Sequence, residues 1–420
     1  VRTHPLLTAA ADAGVRLGLE RVEGLLRFLG SPHLAVPSVH VAGTNGKGSV
    51  SSMVAAALTA GGLRTGLFTS PHLQHVNERV RVDGVPISDD ALAALLEHVS
   101  ERAAAWMETQ DRASEGPPLT YFELMTVVAM VHFAAIGVDM AVFEVGLGGR
   151  LDATNTLSPR VTAITTVGLD HQDRLGPDLS SIAGEKAGII KRGVPCVVGR
   201  LALDALRVVR VTAAGLDAPL EILGADFDVD GGPGGFQWSA GPRLLEGLQV
   251  GLVGQHQVDN AAVAIQVLAH ACPELPTAAI RAGLRDVVHP GRLEWLAPDL
   301  LVDGAHNNQS AQALAQTLRE MDDPRPRVLL LGAGGDKDLH AIGAALAPVV
   351  SRILTTRCAH PRALEPGQVA SALESLQVPV LPAGPIEQAL PLARDQGALV
   401  VVAGSLFLVG AVRDLVNPGP

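Results

Sequence analysis

The segment Val39 to Val50, read as Val-His-Val-Ala-Gly-Thr-Asn-Gly-Lys-Gly-Ser-Val, joins an apolar strand to a glycine turn able to cradle phosphate. Glycines at 43, 46 and 48 let backbone N–H groups approach an anion. Lys47 can reach β- and γ-phosphate oxygens, Ser49 can ligate Mg²⁺, and the following helix adds its positive end. The implied ligand is a nucleoside triphosphate. In the usual phosphate loop Ser or Thr follows Lys directly, and a further Gly stands five residues before the Gly that precedes Lys. Here Gly48 intervenes, and Val41 occupies the earlier position. A purely architectural turn is the alternative, and the placement of Lys47 and Ser49 weighs against it.

Three further segments carry groups that suit a metal or a reacting centre. Val142-Phe143-Glu144-Val145-Gly146-Leu147-Gly148-Gly149-Arg150-Leu151-Asp152 sets a carboxylate inside an apolar strand and then opens into a glycine loop. A buried carboxylate is costly unless paired or metal-bound, so Glu144 is either an Mg²⁺ ligand or the partner of a base such as Arg150. Thr165 to His171 runs from a strand into Asp-His, where neutral imidazole alone is a weak choice for Mg²⁺. In Ile182 to Lys191, Lys186 stands amid small apolar neighbours. Desolvation there would make it nucleophilic enough to take up CO₂ and become, as a carbamate, an oxygen ligand. A surface helix lysine is the alternative. Ser70, in Thr69-Ser70-Pro71-His72-Leu73, is short enough to bring a hydroxyl to a cation. In the second half, Leu301 to Asn307 reads as strand, polar loop and helix start, where open α/β sheets bind ligands. Arg292 and Asp303 could hold a nucleotide, by pairing with phosphate and by accepting from ribose or base.

Parallel strands joined by helices are the frame these groups require. Apolar runs followed by periodic Ala/Leu segments recur: Val138 to Val145, Val161 to Val167, Val194 to Val198, Arg327 to Leu331, Arg352 to Thr356 and Ala398 to Ala403. Phe122 to Ile136 reads as a buried helix. Residues 226–250 turn Gly-rich and alternating, a small antiparallel insertion with hairpins. A composition break at His289-Pro290-Gly291-Arg292 divides the chain into a P-loop domain over 1–290 and a Rossmann-like α/β domain over 291–420.

The 420 residues are 47% apolar, enough to fill two cores, and the formal charge of −11 argues against nucleic-acid or anionic-membrane surfaces. Cys196, Cys272 and Cys358 are widely spaced and read as reduced thiols. No apolar run reaches membrane-spanning length, and Val1-Arg2-Thr3-His4-Pro5 lacks a signal-peptide core, so a cytoplasmic location is expected.

Taken in chain order, Ala42 to Ser49, Thr69 to Leu73, Leu119 to Glu123, Glu144 to Asn155, Gly168 to His171, Glu185 to Lys191, Gly254 to Gln257 with Asn260, Pro290 to Arg292, Asp303 to Asn307, Gly335 to Asp338 and Gly404 to Leu406 closely resemble one set of motifs. They are those of the folylpolyglutamate synthase and dihydrofolate synthase family, relatives of the amide-forming Mur ligases, and the match covers nearly the whole chain. The resemblance implies that Thr44, Asn45, Gly46, Lys47 and Gly48 hold ATP phosphates. It also implies that Ser70 and Glu144 hold one Mg²⁺ beside Ser49, and that His171 with carbamylated Lys186 serves a second. Asn260, Arg292 and Asp303 would complete a nucleotide site shared between the domains. Thr120, Tyr121, Phe122, Glu123, Leu151, Asp152 and Ala153 would form the pterin pocket, with Phe122 stacking on the ring. His306 and Ser405 would receive L-glutamate. Two departures stand out: Arg16 precedes Leu17 to Arg21 where some bifunctional members carry an acid, and Asn308 replaces the usual Pro after His-Asn.

The chemistry implied is ATP-dependent amide formation through an acyl phosphate, adding L-glutamate to dihydropteroate and to the γ-carboxyl of tetrahydrofolate glutamates. No protein nucleophile is then needed, which agrees with the lack of a convincing Ser/His/Asp or Cys/His constellation. A folylpolyglutamate synthase alone, a Mur-type enzyme on UDP-sugar peptides, and a P-loop NTPase switch are the competing readings. A monomer is the family expectation.

Overall fold

A computed structural model describes residues 4–14, 16–110, 119–358, 360, 362–394 and 397–417. Val1, Arg2 and Thr3 of the chain start lie outside the described residues. The chain forms two compact units. The first comprises residues 1–167, 172–251 and 258–287, and the second comprises 168–171, 252–257 and 288–420.

The first unit is built on an eight-stranded sheet. Its strands are β1 (Ser38–Ala42), β2 (Thr65–Phe68), β3 (Val80–Val82), β4 (Val85–Pro86), β5 (Met140–Glu144), β6 (Val161–Ile164), β7 (Cys196–Val198) and β8 (Leu220–Ile222), in the order β4-β3-β2-β5-β1-β6-β7-β8. All pairs are parallel except β2 with β3 and β3 with β4 at one edge. β1 and β5 are buried at every residue, as strands covered on both faces must be, which is why both are mostly apolar, with Ser38, His40 and Glu144 as buried polar exceptions. β1 lies between β5 and β6, and the chain leaves it for β2, beyond β5. Such a reversal of winding opens a crevice at the carboxyl ends of the strands. The register places Glu144 beside Val41 and Ile164 beside Ala42. The ends of β5 and β6 therefore flank the glycine turn that starts at Gly43.

Helix Tyr121–Ile136 is apolar on most faces because it packs into the core, its Phe133 against Phe143 and its Phe122 against Phe68. Thr120 caps it in a capping box with Glu123, and Gly137, at φ 65°, ends it in the left-handed conformation. The insertion is a three-stranded antiparallel sheet of β9 (Asp228–Gly232), β10 (Gly235–Ala240) and β11 (Arg243–Leu248), with Trp238 fully buried.

The second unit carries a six-stranded sheet. Its strands are β12 (Glu294–Ala297), β13 (Leu300–Val302), β14 (Arg327–Leu331), β15 (Arg352–Thr355), β16 (Val380–Pro382) and β17 (Leu399–Ala403), ordered β12-β13-β17-β14-β15-β16 with only β12 antiparallel. The expected α/β class with mainly parallel sheets is what the structure holds. The sequence reading counts 168–171 and 252–257 with the first domain, whereas these segments cluster with the second unit. Asp170 is bonded to Lys337 and Asn307, and Gly254 packs on Thr317.

Candidate functional site

The glycine turn is held open by backbone geometry and two threonines. Gly43 sits at φ 154°, and a Cβ there would lie 2.0 Å from Thr165 Oγ1, so no other residue fits without displacing β6's end. Gly46, at φ 84°, caps helix Lys47–Ala60 and packs on Asn260, whose Oδ1 would stand 2.5 Å from an added Cβ. Thr44 N donates to Thr166 O at 2.8 Å, Asn45 N to Thr166 Oγ1 at 2.9 Å, and Thr165 Oγ1 to Asn45 O at 2.6 Å. These bonds tie the loop to the strand that follows β5 in sequence. Lys47 Nζ folds back on the loop, donating to Gly43 O at 3.0 Å and Thr44 O at 3.1 Å, and Ser49 is buried one turn into the helix.

Acidic and basic groups converge on the same edge. Glu144 ends β5 with its side chain buried, and its Oε2 accepts from Ser70 N at 3.1 Å. The Ser70 loop is organised by Glu78, whose carboxylate accepts from the amides of Leu73, Gln74 and His75 at 2.7, 3.0 and 2.8 Å. Arg79 is buried beside it, donating Nε to His72 Nδ1 at 2.9 Å with its guanidinium 5.1 Å from the centre of the Tyr121 ring. Burial first, then the nearby Arg79 charge, pushes the His72 imidazole down to about 4, so it accepts rather than donates. Arg79 was not among the residues singled out from sequence, because a lone Arg in a loop carries no signal of its burial.

Lys186 is buried in the last turn of helix Leu179–Ala187, and its Nζ donates to Gly43 O at 3.1 Å. The surface-helix reading of this lysine is therefore replaced by a buried amine on the phosphate loop. Arg150 pairs with Glu185, at 2.8 Å from Nη2, and Arg150 N donates to Glu185 O at 2.7 Å. The glycine loop after β5 is thus seated on the end of the Lys186 helix. A Cβ on Gly149 would lie 2.8 Å from Glu185 O. Within that loop Asp152 accepts from Gly146 N, Leu147 N, Thr154 N and Thr154 Oγ1, so its carboxylate shapes the turn. Leu151 is half-buried and Ala153 buried in the same loop. Phe122 lies over Gly146 and 5.8 Å from the Phe68 ring, and Glu123 divides its carboxylate between Thr120 N and Arg21 Nη2, both at 2.7 Å.

In the second unit three sequence motifs meet at one carboxylate. Asp170 receives Lys337 Nζ on Oδ1 at 2.7 Å and Asn307 Nδ2 on Oδ2 at 3.0 Å, with His306 Nε2 3.4 Å from Oδ2. Burial alone would lift this carboxyl; the hydrogen bond and charge of His306, then His171 and Lys337, outweigh it and hold Asp170 well below the ordinary carboxylate range. His171, at φ 50°, lies in this unit with Nε2 3.8 Å from Asp170 Oδ1, whereas Lys186 belongs to the first unit. Asp303 accepts from Leu293 N at 2.9 Å and Ala305 N at 2.8 Å, and Arg292 reaches beside Gly304. Ser405 caps helix Leu406–Val416 through Phe407 N at 3.1 Å. The roles of Asp170 and Lys337 were not assigned from sequence, since their partnership spans chain-distant motifs.

Among the described residues no three His, Cys, Asp or Glu side chains gather into a metal-holding group. Among the residues the sequence reading assigns to Mg²⁺ on the first unit, Glu144 is a buried carboxylate beside Ser70 and Ser49 is buried in the first turn of the helix. That sparse oxygen set fits Mg²⁺, which keeps waters and substrate phosphate oxygens in its shell. Among the described residues no helix is long and apolar enough to cross a membrane.

Comparison with known proteins gives the family. The profile of the Mur ligase glutamate ligase domain matches residues 291–406. A dihydrofolate synthase/folylpolyglutamate synthase of Mycobacterium tuberculosis is 38% identical over 445 residues, covering 96% of this chain and 90% of that protein. The crystal structure of M. tuberculosis folylpolyglutamate synthase complexed with ADP and AMPPCP is similar with a TM-score of 0.91 at 37% identity, covering 98% of this chain and 97% of the other. E. coli FolC in complex with DHPP and ADP gives 0.90 at 30% identity over 99% and 98% of the two chains. The chain belongs to the dihydrofolate synthase/folylpolyglutamate synthase family of Mur-type ligases.

Proposed function

We propose that this protein joins L-glutamate to dihydropteroate and to the γ-carboxyl of tetrahydrofolate glutamates, using ATP to form an acyl phosphate. The observation that carries the reading is the convergence of the phosphate loop, Lys47, Glu144, Ser70 and Lys186 on one strand-end crevice. The turn Thr44 to Ser49 is assigned to the ATP phosphates, with the Thr44 and Asn45 amides bonded to Thr166 to hold the turn's shape and Lys47 neutralising charge on the transferring γ-phosphoryl. Ser49, Ser70 and Glu144 would hold Mg²⁺, with His171 and carbamylated Lys186 assigned to a second ion. Bound Mg²⁺ supplies charge neutralisation at the phosphate oxygens. The acceptor's carboxylate oxygen attacks the γ-phosphorus and ADP leaves; the deprotonated glutamate amine then attacks the acyl carbon and phosphate leaves.

Asn260, Arg292 and Asp303 are assigned to the nucleotide, and His306 with Ser405 to the incoming glutamate. Thr120 to Glu123 and Leu151 to Ala153 are assigned to the pterin. Phe122, half-buried at the Gly146 turn, supports that assignment. The division into a P-loop domain over 1–290 and a glutamate-ligase domain over 291–420 is proposed as the functional one. We place the protein in the cytoplasm as a monomer without nucleic-acid or membrane partners; its free cysteines fit a reducing compartment.

The test is ADP release by purified protein with ATP, Mg²⁺ and glutamate, with dihydropteroate or tetrahydrofolate as acceptor. Release that needs both acceptor and glutamate, and falls about a thousandfold in Lys47→Ala and Glu144→Ala at unchanged melting temperature, is expected. Hydrolysis without either substrate would instead identify an NTPase switch. Activity with tetrahydrofolate alone would reduce the protein to a folylpolyglutamate synthase.

A further inference from the structure

His40 is a fully buried polar side chain in the middle of β1, level with Phe143 of β5 and Thr162 of β6. A central parallel strand ordinarily spends such a position on Val or Ile, so an imidazole there needs a reason. Its Nε2 lies 2.8 Å from Thr154 Oγ1, and that hydroxyl lies 2.5 Å from Asp152 Oδ1.

The directions of these bonds follow from proton counting. Burial raises the Asp152 carboxyl, and the bonds it accepts from the Thr154 hydroxyl and from the amides of Gly146, Leu147 and Thr154 at 3.0, 2.9 and 3.0 Å oppose that rise; with amide donors on both oxygens, the carboxylate is read as an acceptor throughout. The single hydroxyl proton of Thr154 therefore goes to Asp152, and its free lone pair faces His40. His40 must donate from Nε2–H, which leaves Nδ1 as the bare nitrogen. Among the described residues Nδ1 is buried without a hydrogen-bond partner. Burial first, then the nearby charge of Lys191, holds the imidazole down to about 3, so the ring stays neutral and keeps this tautomer near neutral pH.

We propose that His40 is a positioning residue for the acceptor: through Thr154 and Asp152 it fixes the 146–154 loop after β5, against which the pterin ring is read to bind. The inference rests on that reading of the loop. His40 touches no substrate and transfers no proton. A directed donor leaves the Thr154 hydroxyl one orientation, and the Asp152 carboxylate then stays aimed at the Gly146 and Leu147 amides.

The test compares His40→Leu, which fills similar volume without a donor, with His40→Gln, whose Nε2 can replace the imidazole donor. In the full chain, His40→Leu is expected to raise the KM for the pterin acceptor about tenfold while KM for ATP and glutamate stay within about twofold, and His40→Gln to restore most of the loss. An unchanged acceptor KM in folded His40→Leu, or a His40→Gln as impaired as His40→Leu at equal melting temperature, overturns the proposal. A second readout needs no activity. With ¹⁵N-labelled histidine, wild-type His40 should show protonated Nε2 and bare Nδ1, and His40→Leu should speed hydrogen exchange at the Gly146 and Leu147 amides. The opposite tautomer, or unchanged exchange, overturns it. If the wild type uses no pterin acceptor, the loop's assignment falls, while tautomer and exchange still decide whether His40 holds the loop.

Discussion

Around Gly43 to Ser49 the geometry is carried by backbone: two glycines at positive φ, two threonine hydroxyls bonded to Asn45, and a lysine resting on carbonyls. Around Asp170 it is carried by side chains, with the Lys337 ammonium, His306 and Asn307 converging on one carboxylate. A phosphate brings its own charge, so its cradle needs only oriented amides and one cation. A cluster of ionised side chains must satisfy itself and is correspondingly open to pH and to single-charge removal. The first region should fail by steric change and the second by titration.

The largest effect on activity is expected from Gly43→Ala. The new Cβ meets Thr165 Oγ1 at 2.0 Å and the backbone is left at a φ that Ala resists. Glutamate-dependent ADP release should be lost, with a stability cost of about 1–3 kcal/mol that does not vary between pH 7 and pH 4. A pH-dependent cost would break the contrast between the regions.

Asp170→Asn comes next. The Asp170–Lys337 pair has side chains only 7% and 12% exposed, and stripping Asp170 leaves the largely buried ammonium with Asp336, 3.5 Å away, costing about 2 kcal/mol in urea unfolding near neutral pH. The sign with pH follows from the depressed carboxyl. Its stabilisation is complete above the unfolded carboxylate value near 4 and is lost as pH falls from there toward the lower folded value. The stability gap between wild type and Asp170→Asn should therefore narrow below about pH 4. A constant gap would assign the loss to packing.

Thr165→Val should have the smallest effect. It removes the bond to Asn45 O while keeping shape, for about 1 kcal/mol in thermal unfolding and a modest rise in KM for ATP. An effect as large as that of Gly43→Ala would mean that the hydroxyl, rather than backbone conformation, shapes the loop.

Element by element, the parallel frame was legible where apolar runs meet no competing demand: Arg327–Leu331 is a strand at the bounds read from sequence. Elsewhere function or turns shorten them. Val161–Ile164 stops before Thr165 and Thr166 because their side chains turn to the phosphate loop. β5 begins at Met140 because Val138 N still bonds Phe133 O in the helix cap. Val194 is likewise taken by a turn, its N–H bonded to Lys191 O, so β7 starts at Cys196. Local motifs gave the site's parts, such as Lys47, Glu144 and Lys186. The pairs Arg21–Glu123, His40–Thr154 and Lys337–Asp170 were invisible, because each joins residues more than a hundred positions apart and only the folded topology brings them together.

The central claim is that ATP activates the acceptor's carboxylate as an acyl phosphate. It is tested most directly by following ¹⁸O from the carboxylate of the dihydropteroate or folate acceptor during a glutamate-dependent turnover. The account predicts one ¹⁸O in each phosphate released, because the carboxylate oxygen that attacks the γ-phosphorus departs with it. Amide product formed with unlabelled phosphate would contradict it.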